Sequence, residues 1–193
     1  IANGWRQAVE IAGSDGISGL FANAGFGLAG ALEDVSWDAM EAQFRTNVFG
    51  THELVRLAVR HMREHGGGRV VICSSVLGLV GMKMRGAYVS SKFALEGLAD
   101  VWRLELRETN IRVCLLEPGP VMTQFRANSL KAYRKYIDRG SSHYEAAYET
   151  LEARLSKLGA AAPFTAQAEE CVTMLVHALT AKFPKPRYQW TVQ

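Results

Sequence analysis

A chain of 193 residues with 48% hydrophobic content can bury one sizeable core, so a single domain spanning 1–193 is expected. Its formal charge of +3, from 22 basic and 19 acidic residues spread along the chain, lacks the clustered basic face of a nucleic-acid binder. No apolar run approaches the roughly 18 residues of a membrane span, no signal-peptide pattern opens the chain, and Cys73, Cys114 and Cys171 show no CxxC spacing, so the expected setting is the reducing cytoplasm.

In chain order, "IANGWRQAVEIAG" reads as a helix feeding a strand, and "ISGLFA" (17–22) is that strand. Ser36 caps a long helix from Trp37 to His65, which "HGGG" ends. "RVVICS" (69–74) and "IRVCLLE" (111–117) are further buried strands, with a helix from Ala87 to Glu108 between them. Residues 124–164 then turn polar and charged, with Tyr133, Tyr136, Tyr144 and Tyr148 at intervals. Thr165 is the expected cap of a last helix, and "KPRYQWTV" is a final strand. Alternating strands and helices make an α/β fold: a Rossmann-like doubly wound parallel sheet with helices on both faces. Ligands in such sheets bind beyond the C-terminal ends of the strands, which draws attention to "NAGFGLAG", "SVLGLVGMKMRG" and "PGPVMTQF".

"GFGLAG" (25–30) matches G-x-G-x-x-G after a strand, but "ALEDVS" separates it from the next helix cap. A phosphate loop should open directly into its helix. These glycines are instead expected to let the backbone pass close to a ligand, with Asn23 tolerating an unusual turn conformation.

Tyr88 and Lys92 lie four positions apart near the start of a helix, so both heads can converge on one point. A snorkelling surface pair is the bland alternative. An ammonium about 4 Å from a phenolate, at an effective dielectric near 20, is worth roughly 4 kcal/mol, or about three pKa units before desolvation. That would bring the phenol towards working pH.

Asn23-Ala24-Gly25 closes the first strand, Ser75 the second, and Pro118-Gly119 the third, with Thr123 shortly after. This ordered set, together with "LFANAGFG", "SSVLGL", "ALEGLAD" and "LLEPGPV", resembles the short-chain dehydrogenase/reductase family, and within it the branch of aldehyde, ketone and hydroxysteroid reductases. The resemblance implies an NADP- or NAD-dependent oxidoreductase, NADP slightly preferred. It implies Tyr88 as acid/base, Lys92 as its electrostatic partner and ribose ligand, Ser75 on the substrate oxygen, and Asn47 supporting a water chain to Lys92. Asn23, Ala24 and Gly25 would lie along the adenosine side of the cofactor, and Pro118, Gly119, Val121 and Thr123 would meet the nicotinamide carboxamide. Ser75, Asn47 and Thr123 also have plain structural readings as strand end, helical asparagine and helix cap.

The family's T-G-x-x-x-G-x-G loop and its first strands are not in this sequence, so the domain is expected to be N-terminally truncated by on the order of 60 residues. Alternatives are a non-catalytic binding or regulatory protein on the same fold, an inactive fragment without the phosphate loop, and an epimerase or dehydratase. Apolar positions on the two long helices point to a homodimer or homotetramer. Residues 124–164 are expected to form a mobile cover that is hardly core and bends at Gly140, with Met82 and Met84 on the opposite wall of an apolar carbonyl or alcohol pocket.

Overall fold

The computed structural model describes residues 1–140, 142–157, 159 and 165–190. Its centre is a four-stranded, wholly parallel sheet of β1 (Gly19–Ala22), β2 (Gly68–Cys73), β3 (Ile111–Pro118) and β4 (Arg187–Trp190), in that order. Leu20 pairs with Val70, Val70 with Val113, and Leu116 with Tyr188. The final strand was expected to run to residue 192; residues 191 and 192 lie outside the described residues.

Strand alternation sorts the core into two layers. Val70, Ile72, Val113 and Leu115 face one side, where they meet Val55, Ala58, Val59 and Met62 of α3 (Thr51–Glu64) and Leu95 and Ala99 of α4 (Gly86–Glu105). Val71, Cys114 and Leu116 face the other side and meet Ala178, Met174 and Leu175 of α7 (Ala168–Thr180). Burial on both faces is why β2 and β3 read as continuous apolar runs. The expected parallel sheet with helices on both faces is what the structure shows. The opening helix is α1 (Ala2–Ala12), whose Trp5 packs edge-on against His61 of α3.

The single helix expected from Trp37 to His65 is instead α2 (Trp37–Phe44) and α3, joined by a π-helical segment over Arg45–Gly50. Ser36 caps α2, its hydroxyl accepting from the Ala39 amide at 3.3 Å. The glycines after His65 end α3 as expected: Gly66 and Gly67 take φ values of 83° and 118°, and the Gly67 amide returns to the Met62 carbonyl. Thr165 is not the cap of α7. Gln167 is, in a reciprocal capping box with Glu170, because its side chain sits one residue before the first helical turn.

Two helices, α5 (Phe125–Tyr136) and α6 (Glu145–Ser156), follow β3. The expectation that this segment holds no core is corrected: Tyr133, Tyr148, Leu151 and Leu155 are buried with Ala29 and Ala31 in a satellite core. The helices carry enough apolar surface on one side to seal against the loop after β1. Tyr148 is fully buried; its hydroxyl accepts from the Ala31 amide at 2.9 Å and donates to Asp34 at 2.6 Å. Parts of the expected cover, residues 141, 158 and 160–164, lie outside the described residues.

Candidate active site

The C-terminal ends of β1, β2 and β3 open into one cavity of about 700 Å³. Ser75 stands just past β2, with extended backbone; its hydroxyl accepts from the Leu77 amide at 3.1 Å and points to the Pro118 carbonyl at 3.4 Å. Tyr88 and Lys92 come from the first turns of α4, on its buried side with Ser91 and Leu95. All three line the cavity. A spacing of four on a helix therefore places both heads at the same mouth.

The electrostatics differ from the pairwise expectation. The Lys92 ammonium donates to the Cys73 carbonyl at 2.6 Å and lies 5.6 Å from the Tyr88 ring centroid. Burial holds the Tyr88 phenol above its usual range, while the Ser75 hydroxyl and then the Arg85 guanidinium draw it down. Burial also pushes Lys92 below the ordinary lysine range, against the opposing pull of Cys73 and Glu96. Desolvation thus dominates both groups, and neighbours other than their partner on the helix oppose it.

Asn47 is almost wholly buried and stands behind the cavity rather than in it. Its Oδ1 accepts from the Phe26 amide at 3.0 Å, and its Nδ2 donates to the Phe26 carbonyl at 3.0 Å and to Ser91 Oγ at 3.1 Å. Ser91 in turn donates to the Tyr88 carbonyl at 2.7 Å. The π-helical segment turns Asn47 into this position, joining the loop after β1 to α4. Asn47 makes no direct hydrogen bond to Lys92, whose ammonium donates to the Cys73 carbonyl.

Asn23 and Gly25 line the cavity, whereas Ala24 is exposed and does not. Asn23 has no unusual backbone; among the described non-glycine residues only Met84 has positive φ, at 63°. The glycines of "GFGLAG" make room for the protein's own side chains: a Cβ on Gly27 would meet Phe125 at 2.7 Å, and one on Gly30 would meet Ile137 at 2.7 Å. That corrects the expectation of a close ligand for this run, apart from Gly25. Pro118, Gly119, Val121 and Thr123 line the wall beneath α5. Gly119 donates to the Trp190 carbonyl at 3.0 Å, and Val121 bridges to Ala166. Thr123 Oγ1 accepts from the Phe125 amide at 3.2 Å, so it helps start α5 as well as facing the cavity. Met82 lines the opposite wall, but Met84 packs into the satellite core.

Sequence reasoning passed over Gln43, Ser91, Arg85 and Arg154. Gln43 is fully buried and holds the Leu28 amide and the Phe26 carbonyl, each at 2.7 Å. A glutamine in an amphipathic helix carries no signal of such a role. Arg85 stands three residues before Tyr88, and proximity in sequence could have marked it.

Among the described residues, no cluster of His, Cys, Asp and Glu could hold a metal, no helix is long and apolar enough to cross a membrane, and all three cysteines are unpaired. For a nicotinamide cofactor the residues present fit in part. A buried ammonium, the Asn23 amide and the Thr123 hydroxyl converge on one cavity beside the side-chain-free Gly25 and Gly119. Such donors suit ribose and carboxamide, whereas the glycine-rich phosphate loop is not in this sequence.

A family model described as short chain dehydrogenase matches residues 2–134. The uncharacterized oxidoreductase YbbO of Escherichia coli K12 is 40% identical over 174 residues, which is 90% of this chain and 58% of that protein. Human 17-beta-hydroxysteroid dehydrogenase type 1 is 34% identical over 170 residues, 88% of this chain and 51% of that protein. The chain thus spans between half and three fifths of these relatives' length. In structure it resembles an alcohol dehydrogenase of Thermococcus sibiricus complexed with 5-hydroxy-NADP (TM-score 0.70, 17% identity, 96% of this chain and 66% of that one). It likewise resembles a Burkholderia phymatum short chain dehydrogenase/reductase in complex with NAD (TM-score 0.70, 24% identity, 84% of this chain and 58% of that one). With this sheet, this ordered set of side chains at its C-terminal edge, and these relatives, the chain belongs to the short-chain dehydrogenase/reductase family.

Proposed function

We propose that the polypeptide carrying this chain is an NADP- or NAD-dependent oxidoreductase acting on the carbonyl or alcohol of a largely apolar aldehyde, ketone or steroid-like substrate. The observation that carries the reading is the convergence of Tyr88, Ser75 and Lys92 on one cavity at the C-terminal edge of a parallel sheet. The nicotinamide ring, when bound, supplies or accepts the hydride. Ser75 and Tyr88 hold the substrate oxygen, and the Tyr88 hydroxyl gives its proton to that oxygen during reduction or takes it back, as phenolate, during oxidation. At neutral pH the phenol carries the proton that reduction needs, while burial holds it above its usual range. Lys92, fixed by the Cys73 carbonyl, offers its remaining donors to the ribose and its charge to the phenolate. Asn47 holds the loop after β1 and, through Ser91, the backbone under Tyr88. Asn23 and Gly25 flank the adenosine side, with Ala24 between them as backbone; Pro118, Gly119, Val121 and Thr123 flank the carboxamide.

The segment 124–164 serves as a cover that excludes water from the hydride path. Phe125 supports this, since it lies 5.4 Å from the Tyr88 ring centroid. A homodimer or homotetramer forms through α4, whose Phe93, Val101 and Leu104 are exposed along one stripe. A monomer by light scattering at micromolar concentration would refute the assembly. Three unpaired cysteines suit a cytoplasmic setting. NADP stands slightly ahead of NAD.

The test is oxidation of NADPH and NADH by the complete natural polypeptide with a panel of linear aldehydes, aromatic ketones and steroids. Turnover should rise with chain length, by up to about 0.8 kcal/mol of transition-state binding per methylene. Failure with every substrate and both cofactors overturns the reading.

A further inference from the structure

Among the described residues, four basic side chains line the cavity around Tyr88, namely Arg85, Lys92, Arg126 and Arg154, and no aspartate or glutamate does. Two of the four already donate to the protein's own carbonyls. Lys92 donates to the Cys73 carbonyl, and Arg126 donates to the carbonyls of Lys157 and Gly159 at 2.7 and 2.6 Å. Arg85 and Arg154 have no hydrogen-bond acceptor and no carboxylate partner among the described residues. Other arginines of the cover behave differently: Arg134 and Arg139 both pair with Glu152, on the same helix as Arg154.

The two unpaired guanidiniums come from separate parts of the fold. Arg85 precedes α4, three residues before Tyr88, and is half-buried, while Arg154 projects from α6 beside the buried Leu155, which also lines the cavity. They are close enough to repel, for the charge of Arg154 adds to burial in pushing Arg85 below its usual range. Arg85 is half-buried and Arg154 exposed at the rim of the same cavity, and two like charges lining one cavity are relieved by an anion between them; the planar fork of arginine matches the two oxygens of a carboxylate. Between them and α7 the wall is apolar, with Phe125, Val172 and Leu175.

We propose that Arg85 and Arg154 together hold an acid group carried by the carbonyl substrate, so that the preferred substrates are amphipathic oxo-acids, a carbonyl and a carboxylate joined by an apolar chain. This rests on the oxidoreductase reading and narrows its substrate class. Because Arg154 rides on α6 and Arg85 on the body of the domain, a bound acid also ties the cover to the site.

The experiment compares ω-oxo fatty acids of increasing length with their methyl esters as substrates of the complete natural polypeptide, and repeats the series with Arg154→Gln. The expected result is a kcat/KM ratio of acid to ester of at least tenfold at the best chain length, falling tenfold or more in the variant. Equal acid and ester values in the natural protein overturn the proposal. So does a variant whose cofactor KM rises while the acid-to-ester ratio stays constant, since that assigns the arginines to a cofactor phosphate. If nothing is turned over, the oxidoreductase reading fails by itself, and calorimetric titration of decanedioate against its dimethyl ester still decides the acid site. Tighter binding of the diacid, lost in Arg154→Gln, upholds it; equal affinity sinks it.

Discussion

The ammonium of Lys92 is fastened to the carbonyl oxygen of Cys73, 2.6 Å away at the end of β2. That bond uses one of its three donors on the sheet, with the ammonium 5.6 Å from the Tyr88 ring centroid. The groups that draw the phenol down are Ser75 and Arg85. Ser75→Ala should therefore move the alkaline shift of the oxidation pH profile upward and cut kcat, while Lys92→Met should chiefly raise the KM for cofactor. A Lys92→Met profile displaced further than that of Ser75→Ala would contradict this division.

Tyr88→Phe keeps the ring against Phe125 and removes only the hydroxyl. Turnover should fall by about 10² to 10⁴ with the fold retained. The pH dependence of stability has a definite sign. Below pH 10, the ordinary value for tyrosine, folded and unfolded phenols are both protonated and contribute no slope; above it the unfolded chain ionises while the buried phenol resists, so stability is lost. Denaturant titrations of Tyr88→Phe should show a flatter decline above pH 10 than the parent.

Behind the site, Glu117 is fully buried beside Glu96, with Arg187 Nε 3.2 Å from the first carboxylate and 3.3 Å from the second. Burial, then the charge of Glu96, raise Glu117 above the usual carboxylate range of 4.5. A raised folded value means stability that is complete below 4.5 and lost as pH climbs through the folded value. Glu117→Gln keeps the shape without the charge. Its melting temperature should exceed the parent's by about 2–4 °C at pH 8, as for a gain near 1 kcal/mol, and the gain should vanish near pH 4.5. A variant less stable at both pH values would show that the charge is needed for Arg187.

Asn47→Leu leaves the Phe26 amide and Ser91 without their buried partner. The cost should be about 1–3 kcal/mol, read as a fall in melting temperature, because an orphaned buried donor loses its full hydration. The π-helical segment carries this amide, so the same variant should expose the amides of residues 45–50 to faster hydrogen exchange. Unchanged exchange there would separate the turn from the side chain.

Tyr148→Phe removes the hydroxyl that joins α6 to Ala31 and Asp34. The Ala31 amide then lacks an acceptor, and Ser142 alone remains on Asp34, at 2.6 Å. Proteolysis between α5 and α6 should accelerate severalfold while the sheet stays protected. Equal rates would mean that apolar packing of Tyr133, Leu151 and Leu155 suffices to hold the cover.

Local chemistry made much of this legible in the order of residues. β2 and β3 stand out because burial on both faces demands unbroken apolar, β-branched runs. The caps at Ser36 and at Gly66-Gly67 need only their neighbours, and Tyr88 and Lys92 share a helical face by spacing alone. What the tertiary structure decided depends on partners far along the chain. The break in the second helix follows from an amide whose partners, Phe26 and Ser91, lie 21 and 44 residues away. Gly27 and Gly30 are filled by Phe125 and Ile137, which no local pattern announces. The pull on the Tyr88 proton was set by burial and Ser75 rather than by the lysine one turn on, because desolvation is a property of everything packed around a group and spacing reports only what lies beside it.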